Sequence, residues 1–251
     1  MPFNKYKKNF YSQHGEDGVI RALLKKTGLS NNKNKWCCEF GAWDGKHGSN
    51  TFNLIEKSNF KGVYIEGDSR KFKLLKNLSK TFSNIYCFNK FVSHKTNSIN
   101  SLDSILKKTN IKKNFEVLSI DIDSHDLAVW DSLSSYFPAI VVIEINCAYK
   151  PGVFQIHNEH GIGNSFSSVL KIAKKKGYIL VCHTGNCIFI KKKYTKKIKI
   201  PKKFIYNQDL LFDWSWYIKK ENFLKKFLKK VLPNIYIEKL KVLKNNLFKQ
   251  F

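Results

Sequence analysis

Two short stretches place a carboxylate beside a glycine where an apolar run ends. The first is Glu39-Phe40-Gly41-Ala42-Trp43-Asp44-Gly45. Gly41 lets the chain turn sharply off a strand and leaves room for a ligand to lie against the main chain. The pattern is acid-x-Gly-x-x-x-Gly, without the GxGxxG that seats a dinucleotide pyrophosphate. An acid at that strand end suits a ligand carrying a cationic amine rather than a diphosphate. The second stretch, Ile65-Glu66-Gly67-Asp68, closes the next apolar run. A carboxylate there can accept hydrogen bonds from both hydroxyls of a ribose. Together the two describe a site for a nucleoside with an amino-acid tail, S-adenosylmethionine, with Glu39, Gly41, Ala42, Asp44, Gly45, Glu66 and Asp68 as its expected contacts.

A third stretch, Ser119-Ile120-Asp121-Ile122-Asp123-Ser124-His125-Asp126, packs three carboxylates and an imidazole behind an apolar run. Capping of the following helix accounts for Asp123 or Asp126. It does not account for Asp121, which the pattern puts inside the apolar strand, where an idle charge is costly. Asp121, Asp123 and His125 are the catalytic candidates, although a His just past a strand is more often a structural hydrogen-bonding residue. The next run ends in Glu144-Ile145-Asn146, and Asp121 with Asn146 could hold a hard divalent cation through oxygen. Ser12-Gln13-His14-Gly15-Glu16-Asp17-Gly18 precedes a helix. Its acids either complement the helix dipole or belong to a segment folding over the cleft as a lid, or both. The long stretch 147–164 is expected to form the acceptor wall. His14, Glu16, Asp17, Asp126, Glu144 and Asn146 complete the substrate-side candidates. Cys182, His183 and Cys187 lack a fourth ligand for zinc, and a hairpin explains them.

These residues need a scaffold that brings strand ends together. Strand patterns fall at 36–40, 62–65, 85–88, 115–120, 140–145, 178–182 and 187–190, and helical periodicity at 16–26, 50–58, 70–82, 102–108, 127–136 and 166–176. Ser69, Ser101 and Ser165 are placed as N-caps, and Gly28 and Gly177 as helix ends. Strand and helix in alternation imply an α/β fold, a mostly parallel sheet with helices on both faces. Only His183-Thr184-Gly185-Asn186 separates the last two strands, so these form an antiparallel hairpin. Three regions are expected: a helical segment 1–35 packing on the core, a core domain 36–217, and a basic tail 218–251. In the tail, 218–232 alternates apolar and Lys positions at helical spacing and ends at Pro233.

The chain resembles the FkbM-type S-adenosylmethionine-dependent methyltransferases in the motifs Ser12–Gly18, Glu39–Gly45, Tyr64-Ile65-Glu66-Gly67-Asp68 and Ser119–Asp123, with Gly177-Tyr178 and Gly185-Asn186 around the hairpin. The resemblance spans about residues 11–217. It implies a Rossmann-like class I methyltransferase fold with a seven-stranded sheet, and O-methylation of a sugar or secondary-metabolite hydroxyl. It also implies that Glu39, Gly41 and Gly45 line the methionine end, that Glu66 takes the ribose, and that Asp121 lies near the transferred methyl. Many relatives carry Gly where this chain has Ser124-His125, so the substrate subsite is expected to differ.

Composition limits the rivals. The formal net charge is +26, but 43 of the 45 basic residues are Lys and Asn numbers 24. That bias reads as genome composition plus solubility first and anionic partners second. No zinc finger, helix-turn-helix or aromatic RNA platform is visible, which argues against nucleic acid. The 218–232 segment is the candidate for peripheral docking on an anionic membrane. A cytoplasmic location is expected from the irregular Cys spacing and from Met1 to Phe10, which lacks an apolar leader. Two other functions compete: a metal-dependent nucleotide-sugar glycosyltransferase using Asp121 and Asp123, and a non-enzymatic binder of membrane surfaces. The first leaves Glu39–Gly45 and Glu66 unexplained. The acceptor itself is expected to be a small molecule or glycan.

Overall fold

The computed structural model describes residues 2–217. Residues Met1–Asp213 form one compact unit, and a second unit begins at Trp214. The expected amphipathic helix at 218–232 and its membrane role lie outside the described residues.

Seven strands form one sheet in the order β3-β2-β1-β4-β5-β7-β6. They are β1 (Trp36–Phe40), β2 (Lys61–Glu66), β3 (Ile85–Asn89), β4 (Val117–Ile120), β5 (Ile140–Glu144), β6 (Tyr178–His183) and β7 (Asn186–Lys191). β1 to β5 pair in parallel. β7 runs antiparallel to both β5 and β6. This is the α/β arrangement expected from the sequence, a mostly parallel seven-stranded sheet with a C-terminal antiparallel pair. One detail was not foreseen: β7 returns between β5 and β6, so the last of the described strands is interior. Its residues Cys187 to Ile190 are all buried, as a two-sided interior strand requires.

The helices are α1 (Glu16–Thr27), α2 (Phe52–Ser58), α3 (Ser69–Thr81), α4 (Leu102–Leu106), α5 (Asp126–Ser132), α6 (Phe166–Lys175), α7 (Thr195–Ile198) and α8 (Lys202–Tyr206). One face of the sheet packs Cys37, Val117, Val142 and Ile188 with Val19, Ile20 and Leu23 of α1 and Phe52 and Ile55 of α2. On α5, Trp130 meets Tyr178 and Phe189 with ring centroids 5.5 and 5.4 Å apart. Every β1 and β4 residue is buried, as expected of a parallel sheet covered on both faces.

Several boundaries move. Asp68, not Ser69, caps α3, because its carboxylate accepts from the Arg70 and Lys71 amides. α5 stops at Ser132 rather than 136. The Asp103 carboxylate takes the amides of Ser134 and Ser135, and this draws the chain away from helical geometry. β4 begins at Val117 rather than 115. Ser101 and Ser165 cap α4 and α6 as expected, and Gly28 ends α1 in the left-handed conformation. Among the described residues, no helix is long and apolar enough to cross a membrane.

Candidate active site

The parallel strands end on one edge, and there a cleft of about 630 Å3 opens, within the range of small-molecule sites. Its lining includes Glu39, Gly41, Ala42, Glu66, Asp121, Asp123, His125 and Glu144, so eight of the residues singled out from the sequence converge.

Gly41 is fixed by a close backbone approach. At φ +76° it turns the chain off β1, and a Cβ there would lie 1.6 Å from the carbonyl oxygen of Asp121. β1 and β4 therefore touch at their tips with no side chain between them. Gly45 serves packing instead. Its missing Cβ makes room for Leu75 and Leu78 of α3, and it does not line the cleft.

Glu39 is buried and heavily bonded. Its carboxylate accepts from Ser49 Oγ (2.8 Å), the Asn50 amide (3.1 Å), and the amide and hydroxyl of Thr51, whose Oγ1 also meets Tyr64 OH at 2.8 Å. Burial pushes its pKa up, and these donors pull against that shift. Glu39 thus holds the 49–51 segment that leads into α2. Glu66, also buried, accepts from the Trp43 amide (2.8 Å) and the Asp68 amide (2.8 Å), tying the two strand-end loops together. A carboxylate offers about four lone-pair directions, so roughly two remain for a ligand.

On the opposite side Asp121, Asp123 and Glu144 bring carboxylate oxygens within 4.8 Å of one another. Asp121 sits at the tip of β4 rather than inside it, on the cleft wall, where water reaches it but protein surrounds it. Burial first, and then the charges of Asp126, Asp123, Glu39 and Glu16, raise its pKa to about 7. Glu144 is raised for the same reasons, burial and then Asp121 and Asp123. Such a trio shares protons or surrounds a hard cation. Asn146, the other expected metal ligand, does not line the cleft; its Nδ2 donates to the Ile162 carbonyl (2.7 Å) and its Oδ1 accepts from the Ala148 amide (3.0 Å), while Glu144 brings a carboxylate oxygen next to Asp121.

Other expected contacts lie behind the cleft wall. Asp126 is buried and accepts from the Ile122 and Ser124 amides, so it shapes the turn that carries Asp123, itself left-handed at φ +59°. Asp44 accepts from the amides of Lys46 and His47 and from the His47 ring. Burial would raise its pKa, but the His47 bond and the amides outweigh that and lower it. Asp17, fully buried, accepts from the amides of Phe10, Tyr11 and Ser12 and from Ser12 Oγ. Glu16 is also buried and takes the Thr184 hydroxyl (2.6 Å), while its other oxygen accepts from the His14 amide. Of Ser12–Gly18, only Gln13 lines the cleft. His183 is buried; its Nδ1 accepts from the Asp213 amide, and burial lowers its pKa to about 4. Among the described residues, Asp121, Asp123 and Glu144 form the one group of three or more acid, His or Cys side chains placed to hold a metal ion.

Several cleft residues were not singled out: Trp43, Lys71, Lys90, Phe91 and His94. Phe91, 77% exposed, covers Gly67, where an added Cβ would lie 2.4 Å from its ring. His125 stacks on His94 with centroids 5.0 Å apart and meets His157 of the 147–164 loop edge-on at 4.8 Å. The usable signal for Phe91 and His94 was position alone, since both follow the end of β3 at the ligand edge.

No family model matches the chain, and no curated protein matches it by sequence. Solved structures do resemble it. TrmK of M. capricolum in complex with S-adenosyl-homocysteine aligns over 89% of this chain and 92% of its own, with 15% identity and a TM-score of 0.44. The N-terminal domain of EvdMO1, in the presence of S-adenosyl-homocysteine and D-fucose, covers 71% and 81% with 11% identity and a TM-score of 0.42. An O-methyltransferase family protein from Burkholderia thailandensis covers 70% and 57% with 7% identity and a TM-score of 0.41. Likenesses this distant do not transfer a function to this chain.

Proposed function

We propose that this chain is an S-adenosylmethionine-dependent methyltransferase of the FkbM type that methylates a hydroxyl of a small-molecule or glycan acceptor. The carrying observation is the cleft itself. It joins Gly41 and Glu66, on neighbouring strand tips, to the cluster of Asp121, Asp123 and Glu144 on the other side. The residues present fit the cofactor. Gly41 leaves bare backbone, Glu66 has acceptor directions to spare for two ribose hydroxyls, and Phe91 offers an exposed ring beside Gly67 for a base. Glu39, assigned to the methionine end by the resemblance, already accepts four hydrogen bonds, so its role in this reading is to hold the 49–51 segment at that end of the cleft.

When bound, the cofactor supplies a methyl group on a sulfonium. The protein's own residues then have two tasks. The strand tips hold the acceptor oxygen in line, and alignment is a major part of the barrier reduction. Asp121 takes the hydroxyl proton on a carboxylate oxygen, and a base with pKa near 7 is matched to that transfer. Asp123 and Glu144 surround the proton it gains, and His125 forms the wall behind. The three acids could also hold a divalent cation.

The glycosyltransferase alternative uses only Asp121 and Asp123 and assigns nothing to Glu66 or Gly41. Titration calorimetry with S-adenosyl-homocysteine tests the reading, with saturable one-site binding as the expected result. Absence of heat at millimolar ligand, together with binding of a nucleotide-sugar with manganese, overturns it.

A further inference from the structure

A second concavity, of about 1140 Å3, lies apart from the cleft along the outer side of α1 and reaches the starts of β1 and β2. Lys8, Arg21, Lys25, Lys26 and Lys35 line it, and no Asp or Glu does. Among the described residues, none of these five cations lies within ion-pair distance of a carboxylate. Four of them lie over aromatic rings instead. Arg21 and Lys8 are 4.6 and 5.0 Å from the centroid of Phe10, Lys26 is 5.4 Å from that of Tyr6, and Lys35 is 5.3 Å from that of Phe60.

A Lys-rich composition explains many surface cations. It does not explain a groove from which every carboxylate is absent, nor the placement there of one of only two arginines in the chain. Against the expectation drawn from the absence of nucleic-acid motifs in the sequence, we propose that this groove binds a single-stranded phosphodiester chain. Uncompensated cations lining a concavity meet successive phosphates of a strand that enters it, whereas a flat bilayer meets only the rim. Arg21 and Lys25 stand one turn apart on the same side of α1 and present charge along the groove. Phe10, 37% exposed, and Tyr6 offer faces on which unpaired bases can stack as the flexible Lys side chains turn to phosphate. A paired duplex does not present its base faces in this way.

The proposal concerns binding and does not depend on methyl transfer. Its test is fluorescence anisotropy of the full chain with a labelled single-stranded RNA 12-mer across a salt series. The variants are Arg21→Glu with Lys25→Glu, a milder Lys8→Gln with Lys26→Gln, and Lys202→Glu with Lys203→Glu as a control pair outside the groove. Thermal melts establish that each is folded. Each groove pair is expected to weaken binding by about tenfold or more and to lower the salt slope by roughly 1.4, two phosphate contacts at about 0.7 each. The control pair is expected to stay within about twofold, since surface charge far from the contact is screened. Equal loss in all three pairs, or loss in none, overturns the proposal. So does sedimentation with phosphatidylserine vesicles in the absence of any oligonucleotide binding.

Discussion

The carbonyl oxygen of Asp121 occupies the space that a Cβ on Gly41 would need, at 1.6 Å. The tip that turns β1 and the tip that carries the proposed base are therefore in backbone contact, and any side chain at 41 must part them. Gly41→Ala adds overpacking to a left-handed φ and should cost at least about 3 kcal/mol. In a folded fraction it should also abolish binding of S-adenosyl-homocysteine. Denaturant melts and calorimetry read both effects, and a variant with unchanged stability removes the close approach from the account.

Asp121→Asn keeps the shape of the cleft and removes the proton acceptor. Turnover on a competent acceptor should fall by about 10²–10⁴-fold, while calorimetry finds cofactor affinity within about twofold. Retained turnover would take Asp121 out of the chemistry.

Glu66→Ala removes the acceptor proposed for the ribose and also unties the Trp43 and Asp68 amides. Affinity for S-adenosyl-homocysteine should drop by about 10–100-fold, as expected for loss of hydrogen bonds to a charged group. Equal affinity in the variant and the parent would refute the ribose assignment.

Asp121 and Glu144 make stability depend on pH. The pKa of Asp121 is raised to about 7 and that of Glu144 is raised as well, both above their unfolded values. The folded state then binds more protons than the unfolded chain, so this contribution is full below about pH 4 and is lost as pH rises through 7 and beyond. Asp121→Asn should therefore raise Tm at pH 8 by about 2–4 °C, the shift produced by about 1 kcal/mol in a chain of this size once screening of this water-accessible carboxylate is allowed for, and do less at pH 5. A larger gain at pH 5 than at pH 8 would show that the acids do not repel one another.

Asp17 is a structural tie. It accepts three amides and a hydroxyl from Phe10 to Ser12 and leaves no face toward the cleft. Asp17→Ala should cost about 3 kcal/mol of stability. The KM for cofactor should remain near that of the parent. A selective loss of cofactor affinity without loss of stability would instead support the lid reading.

Local pattern was enough to determine the alternation of strands and helices, the hairpin at the end of the core, and the acids and glycines at three strand ends. Each depends on residue periodicity, turn chemistry or distance along the chain, which a linear sequence carries directly. Only the tertiary structure decided how those acids are used. Asp44, Asp68 and Asp126 resemble Asp121 in sequence, yet backbone amides claim all three, because the path of the chain brings those donors within reach. Glu144, rather than Asn146, joins the trio because the parallel register of β4 and β5 sets Ile120 beside Ile143 and so carries the two strand tips to one edge. The placement of β7 between β5 and β6, and of Phe91 over Gly67, likewise follows from contacts between segments far apart in the chain.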